Sequence, residues 1–219
     1  MKKVILHVGR HADGEEAAAY LKQHKEIELL GISCADPEKI ERLKRYAPVA
    51  AGSDLPLLSP RKVGDYPLYT EEKAWDMLKR EGEGALIVAL GSLTSLAITL
   101  IRFPEWKPER IIVLGGSAKS GDVTPFAEKS FYEDPEAAHI VLTSKIPVTL
   151  FGLDSVGRRE DREVLAARAV TEDFYETKKV FADVERRSPK TLGMSVCDMY
   201  GQLGKEAKTD LVVRLKEEV

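Results

Sequence analysis

Three apolar runs of β-type residues, Ala85–Leu90, Arg110–Leu114 and Val148–Gly152, each end in glycine or a polar turn, and helical segments separate them. A strand that is apolar along its length is buried on both faces. Strands of that kind, alternating with helices, pair as a parallel sheet covered by helices on either side. The pattern predicts an α/β fold: a doubly wound, mostly parallel sheet with flanking helices and right-handed crossovers. Ligands in such sheets sit outside the carboxyl ends of the strands. The segment Gly115–Asp134 follows one of those ends and is long, polar and rich in carboxylates. A connection of that length inside a compact α/β protein is where chemistry is usually kept.

The flanking chain fits the same scheme. Residues 3–8 read as a first strand, Gly14–Lys25 as a helix with acids in its first turn, and Ile27–Ser33 as a second strand. Asp36-Pro37 is a helix start, the acid capping and the proline occupying the first turn, and that helix runs to about Tyr46. Val49–Ala51 is a short third strand, and residues 52–69 read as a loop. Thr70–Glu81 is an amphipathic helix capped by Thr70, with Trp75, Met77 and Leu78 on its apolar side. Leu93–Arg102 and Pro135–Ser144 are further helices, the second capped by Asp134. Beyond Asp154 the charged run Arg158–Arg187 has helical spacing and reads as a solvated face, followed by a helix over Thr191–Glu206 and an edge strand over Leu211–Leu215. No linker divides the chain, so residues 1–219 are expected to form a single domain.

Charge and cysteine content narrow the partners. The net charge is −3 and no basic stripe is present, which argues against nucleic acid. No apolar run is long enough to span a bilayer. Met1-Lys2-Lys3 leads straight into Val4-Ile5-Leu6, but the run stops at His7 and no small-residue cleavage site follows, so it reads as a first strand rather than a signal peptide. The two cysteines, Cys34 and Cys197, are far apart in sequence, which fits free thiols in a reducing compartment. The expectation is a cytoplasmic protein acting on a small molecule, without nucleic-acid or membrane partners.

Several polar residues have both a chemical and a structural reading. Asp13 and Asp198 are each placed to cap a helix, and Asp122 to shape the turn after Gly121. Gly115-Gly116 with Gly121 looks like a phosphate cradle but lacks the Lys-Ser/Thr ending of one. His7, His11 and Asp13 lie together at the end of the first strand. Imidazole, thiolate and carboxylate suit zinc better than calcium, so His7, His11 and Cys197 form an alternative metal set. The structural reading of the two histidines is as hydrogen-bonding loop residues.

The wording of Ala89–Ala97, Leu114–Ala138 and Pro147–Asp154 resembles the nucleoside hydrolases, the inosine-uridine-preferring N-ribohydrolases. Members of that family carry ALGPLTNLA, MGGAxxxGNxTPxAEFNxxxDPEAA and PxTMxGLD in this order and at about this spacing. The resemblance implies hydrolysis or binding of the N-glycosidic bond of a ribonucleoside or related ribosyl compound, with homodimer or homotetramer assembly. It also implies a calcium ion held by an aspartate cluster, DxDPGxDDA, after the first strand. Aligned without gaps, the chain offers Asp13 at the family's ribose-contacting aspartate, but Gly9 and Gly14 where calcium-ligating aspartates usually stand. The distal HD pair matches Cys197-Asp198, and a ligating backbone carbonyl matches Leu90. The ribose-binding Asn, Glu and Asn fall on Asp122, Glu128 and Ser130. Asp13 and Asp198 are thus the candidate catalytic groups, with Asp13, Asp122, Glu128 and Ser130 expected to bind substrate. Asp198 and the Leu90 carbonyl would hold metal. With two carboxylates gone the site is short of negative charge, so weak or absent calcium binding is expected, zinc or no metal being the alternatives. A non-catalytic ribosyl-binding or structural homologue is the competing reading.

Overall fold

The computed structural model describes residues 1–53, 55–58, 70–117, 121–125, 127–153 and 162–171. Within them lie six strands: β1 Lys2–Val8, β2 Ile27–Cys34, β3 Val49–Ala51, β4 Leu86–Leu90, β5 Arg110–Leu114 and β6 Val148–Phe151. All neighbouring pairs are parallel, in the order β3-β2-β1-β4-β5-β6. The chain winds outward from β1 in one direction and from β4 in the other. The switch point of the doubly wound topology therefore falls between β1 and β4.

Seven helices flank the described sheet: α1 Glu15–Gln23, α2 Pro37–Leu43, α3 Ala74–Glu81, α4 Thr94–Arg102, α5 Lys129–Glu133, α6 Pro135–Leu142 and α7 Arg162–Arg168. The period-two alternation of strand side chains divides the core into two layers. Val4, Leu6, Val8, Val88, Leu90 and Ile112 face α1, α2 and α7. Ile5, Ile87, Ala89, Ile111 and Val113 face α3, α4 and α6. Ile5, Leu6, Ile87 and Leu90 are fully buried. Each such side chain contributes about 1.5–3 kcal/mol, which makes the central strands the rigid platform for whatever projects from their ends.

Helix ends follow local chemistry in some places and tertiary contact in others. The Asp36 carboxylate accepts from Glu38 N at 3.0 Å with Pro37 in the first turn, and Asp134 accepts from Ala137 N at 3.0 Å with Pro135 next to it. Thr70 does not cap α3. That helix starts at Ala74, and the Thr70 hydroxyl instead accepts from Ala51 N at 2.8 Å, tying the preceding loop to β3. The segment 115–134, expected as loop, contains the short helix α5. Among the described residues no helix is long and apolar enough to cross a membrane. Asp154, most of the charged run after Arg158, and the elements expected over 191–206 and 211–215 lie outside the described residues, apart from α7.

Candidate functional site

The described strand ends converge on a cavity. Its floor is Leu114-Gly115 after β5 and Phe151 in β6, with Gly91 after β4. One wall carries Asp122, Glu128, Lys129, Ser130 and Glu133 from the β5–α6 connection. The opposite wall carries His11 and Ala12 from the β1–α1 connection, with Arg162 and Glu163 from α7.

The β5–α6 wall is held by its own carboxylates. Glu128 is 7% exposed, and one of its oxygens accepts from Gly116 N at 2.8 Å and Phe131 N at 3.4 Å. Its other oxygen accepts from the Ser130 hydroxyl at 3.0 Å. Glu128 is therefore the N-cap of α5 and the brace of Gly116, whose backbone takes a φ of 77°. The Gly116 amide that a phosphate cradle would offer is already used. Burial pushes the Glu128 carboxyl up, while the Ser130 and Gly116 hydrogen bonds pull the other way. Asp122 accepts from Lys129 N at 2.9 Å, closing the turn beneath the wall. Asp122, Glu128 and Ser130 line the same cavity, with their polar atoms partly committed to the loop itself.

The β1–α1 wall is different. The Asp13 side chain is 64% exposed and pairs with Arg42 on α2, outside the cavity lining. It does not cap α1 either: the N-cap is Gly14, with φ 74°, and no side chain of the cap residue serves the helix. The Glu163 carboxylate does so from α7, accepting from Asp13 N at 3.0 Å and Gly14 N at 2.7 Å. An anion at a helix N-terminus is favoured by the orphan amides and the helix dipole. Here it comes from a segment that sequence patterning assigned to a solvated face.

The glycines at the aspartate positions are demanded by the backbone. Gly9 N–H donates to the Leu90 carbonyl at 2.6 Å, drawing the end of β1 onto the end of β4. A β-carbon at Gly9 would stand 2.6 Å from Ser92 N and 2.9 Å from that carbonyl. At Gly14 the left-handed backbone disfavours any side chain, and a β-carbon would stand 2.5 Å from Val8 Cγ2. An aspartate at Gly9 would have to displace backbone, and at Gly14 it would take a strained φ and a shift of the Val8 side chain. The Leu90 carbonyl, expected as a metal ligand, is engaged by the Gly9 amide.

His7 lies beneath the site, fully buried. Its Nδ1 is 3.0 Å from the Ser33 hydroxyl and its Nε2 is 2.8 Å from the Ser92 carbonyl. The carbonyl can only accept, so Nε2 carries the proton, and the imidazole is a neutral strut between β1, β2 and the turn after β4. Burial lowers its pKa to about 4, the Ser92 hydrogen bond opposing the shift. Both nitrogens are occupied, so His7 does not join His11 and Asp13 in a zinc set. Among the described residues no group of three or more histidine, cysteine, aspartate or glutamate side chains is placed to hold a metal ion. Cys197 and Asp198 lie outside the described residues.

His11 is 46% exposed at the cavity, with Nε2 2.8 Å from Glu133 Oε1. Burial raises the Glu133 carboxyl to about 7, and the Glu128 charge adds to this while Lys129 and Arg10 oppose it. Neither Glu133 nor Glu163 stands out in the sequence. One sits among the acids of the β5–α6 connection and the other in a charged run, so only the packing of α5 and α7 brings them to the cavity.

The fold defines a doubly wound α/β protein with a cavity at its strand ends. The profile of the inosine-uridine preferring nucleoside hydrolases matches residues 12–162. The chain belongs to that family. It is 31% identical to the non-specific ribonucleoside hydrolase RihC of Shigella flexneri and to that of Escherichia coli K12 / DH10B, each match covering 64% of this chain. The chain spans 59% of the length of these relatives. Among solved structures, the purine-preferring ribonucleoside hydrolase from Gardnerella vaginalis superposes with a TM-score of 0.61 at 22% identity, covering 83% of this chain and 74% of that one. The inosine-uridine preferring nucleoside hydrolase from Bacillus anthracis does so with a TM-score of 0.56 at 19% identity, covering 84% and 81%. At those identities the likeness is one of fold.

Proposed function

We propose that this chain binds a ribonucleoside or a related ribosyl compound at the strand-end cavity, and that it does so without the calcium-held water on which the family generally depends. The observation that carries the binding half is the wall formed by Asp122, Glu128 and Ser130, which keeps hydroxyl-recognising oxygens at the family's ribose positions inside one cavity. The observation that carries the calcium half is the crowding at Gly9 and Gly14. A calcium ion needs six or more convergent oxygens, several of them charged. The described residues replace two of those side chains with backbone contact, so they do not fit a calcium ion held in the family's way.

The engagement of Glu128 with Gly116, Phe131 and Ser130 favours a second reading, a structural homologue in which this wall supports only itself. Titration calorimetry with inosine, uridine and free ribose, with and without calcium, separates the two. The expected result is binding of a ribosyl compound, unchanged by calcium and weakened about tenfold by Asp122→Ala or Ser130→Ala, as fits loss of one hydrogen bond to a ligand hydroxyl. Calcium-dependent binding would reject the second half of the proposal. No binding of any of the three would leave the structural reading.

A further inference from the structure

The most unusual chemistry at the cavity is the contact between His11 and Glu133, which neither the family's ribose positions nor its calcium cluster accounts for. The pair is assembled from two connections, β1–α1 and the end of α5, and both residues line the cavity beside Ser130 and Gly115. Neither side chain caps a helix, and the imidazole is open to solvent. We infer that His11 and Glu133 form a proton-transfer pair that hydrolyses the N-glycosidic bond without a metal ion. This rests on the ribosyl-binding reading above.

The step balances with water as the only co-reactant. A water oxygen bonds to the anomeric carbon as the carbon–nitrogen bond breaks, its electron pair staying on the base nitrogen. The pair accepts one proton from the water and returns the proton it held, shared between Nε2 and Oε1, to the departing nitrogen. Such a pair needs one member that accepts and one that donates near neutrality. Burial brings Glu133 to about 7, and burial together with Lys129, Arg10 and Lys39 lowers His11 below its ordinary value. The charged groups acting on the pair are Arg10 beside His11, Lys39 and Asp36 from α2, and Lys129 and Glu128 from the opposite wall. A carboxyl whose folded pKa is raised favours the folded state while it stays protonated, and that advantage is lost as pH rises from about 4.5 to about 7. Keeping Glu133 buried at neutral pH therefore lowers stability, as is common where a group is retained for its reactivity.

The test uses the full chain in a chelator, with inosine, uridine, adenosine and cytidine as probes. Binding is followed by calorimetry and hydrolysis by reducing-sugar release. The expected result is binding and metal-free release of ribose from at least one probe, with a bell-shaped pH profile. His11→Gln and Glu133→Gln should each lower kcat about 100-fold or more with KM within a few fold. Glu133→Gln should also be no less stable than the parent chain above neutral pH, which shows that lost activity is not lost fold. Binding without release, release that needs added calcium or zinc, or release that both variants retain overturns the inference and leaves the binding proposal standing. Binding of none of the four probes removes the binding proposal and this inference together.

Discussion

The β1–α1 and β5–α6 connections face each other across one cavity and have solved the same problem in opposite ways. In the first, two of the positions aligned with the family's carboxylates are glycines. Gly9 packs its amide onto the Leu90 carbonyl, Gly14 turns through a left-handed conformation against Val8, and Asp13 points to Arg42. In the second, Glu128 is kept while Asp122 and Ser130 stand where the family carries asparagines, and Glu128 also caps a helix and braces Gly116. The difference teaches that two loops on one cavity can be held in shape by different means, one by packing backbone against backbone and the other by giving its side chains structural work. The missing charge on the first wall is supplied by Glu163 from α7, a residue with no counterpart in the loop it serves.

The comparison breaks most directly at Gly9. Gly9→Asp should lower stability by about 4 kcal/mol, since it overpacks the junction of β1 and β4 and breaks a buried backbone hydrogen bond. Urea denaturation reads this. A variant as stable as the parent chain that gains calcium binding would show the first wall to be substituted rather than closed.

A somewhat smaller effect should come from the strut beneath that wall. The folded-state pKa of His7 lies below its ordinary value of 6.5, at about 4. The unfolded chain therefore takes up the proton first as pH falls. The stability His7 contributes is fully present above about 6.5 and is lost as pH drops toward about 4, on the order of 3 kcal/mol in all. Glu133 contributes in the opposite sense between about 4.5 and about 7, so the slope is read as the difference between the parent chain and His7→Gln, denatured side by side from pH 7.5 to pH 4. An equal slope in the variant would mean that the imidazole is not the neutral strut between Ser33 and Ser92.

The smallest effect sharpens the comparison. Asp13→Ala removes an exposed ion pair with Arg42 and should change stability by less than about 0.5 kcal/mol. Ribosyl binding should be unaltered by calorimetry. A large loss of affinity would return Asp13 to the site.

Much of this architecture is legible in the sequence. The apolar runs at β4, β5 and β6 define buried parallel strands, because only a strand covered on both faces can be apolar at every position. Asp36-Pro37 and Asp134-Pro135 mark two helix starts, because capping and proline chemistry act within one turn. The cavity wall of Asp122, Glu128 and Ser130 is legible through the family resemblance, whose motif spans these nine residues of chain. Thr70 has the residue type of a cap, but its hydroxyl is used by Ala51 across a gap that sequence spacing does not measure.

Local pattern thus determined the alternation of strands and helices, the two-layered core and the family, since these depend on periodicity and on short motifs. Only the tertiary structure decided that Gly9 and Gly14 are crowded, that His7 is a strut, and that His11 meets Glu133 while Glu163 caps α1. Those outcomes depend on distances between segments far apart in the chain. Such distances are fixed by how the sheet twists and how α5 and α7 dock, and no stretch of sequence carries that by itself.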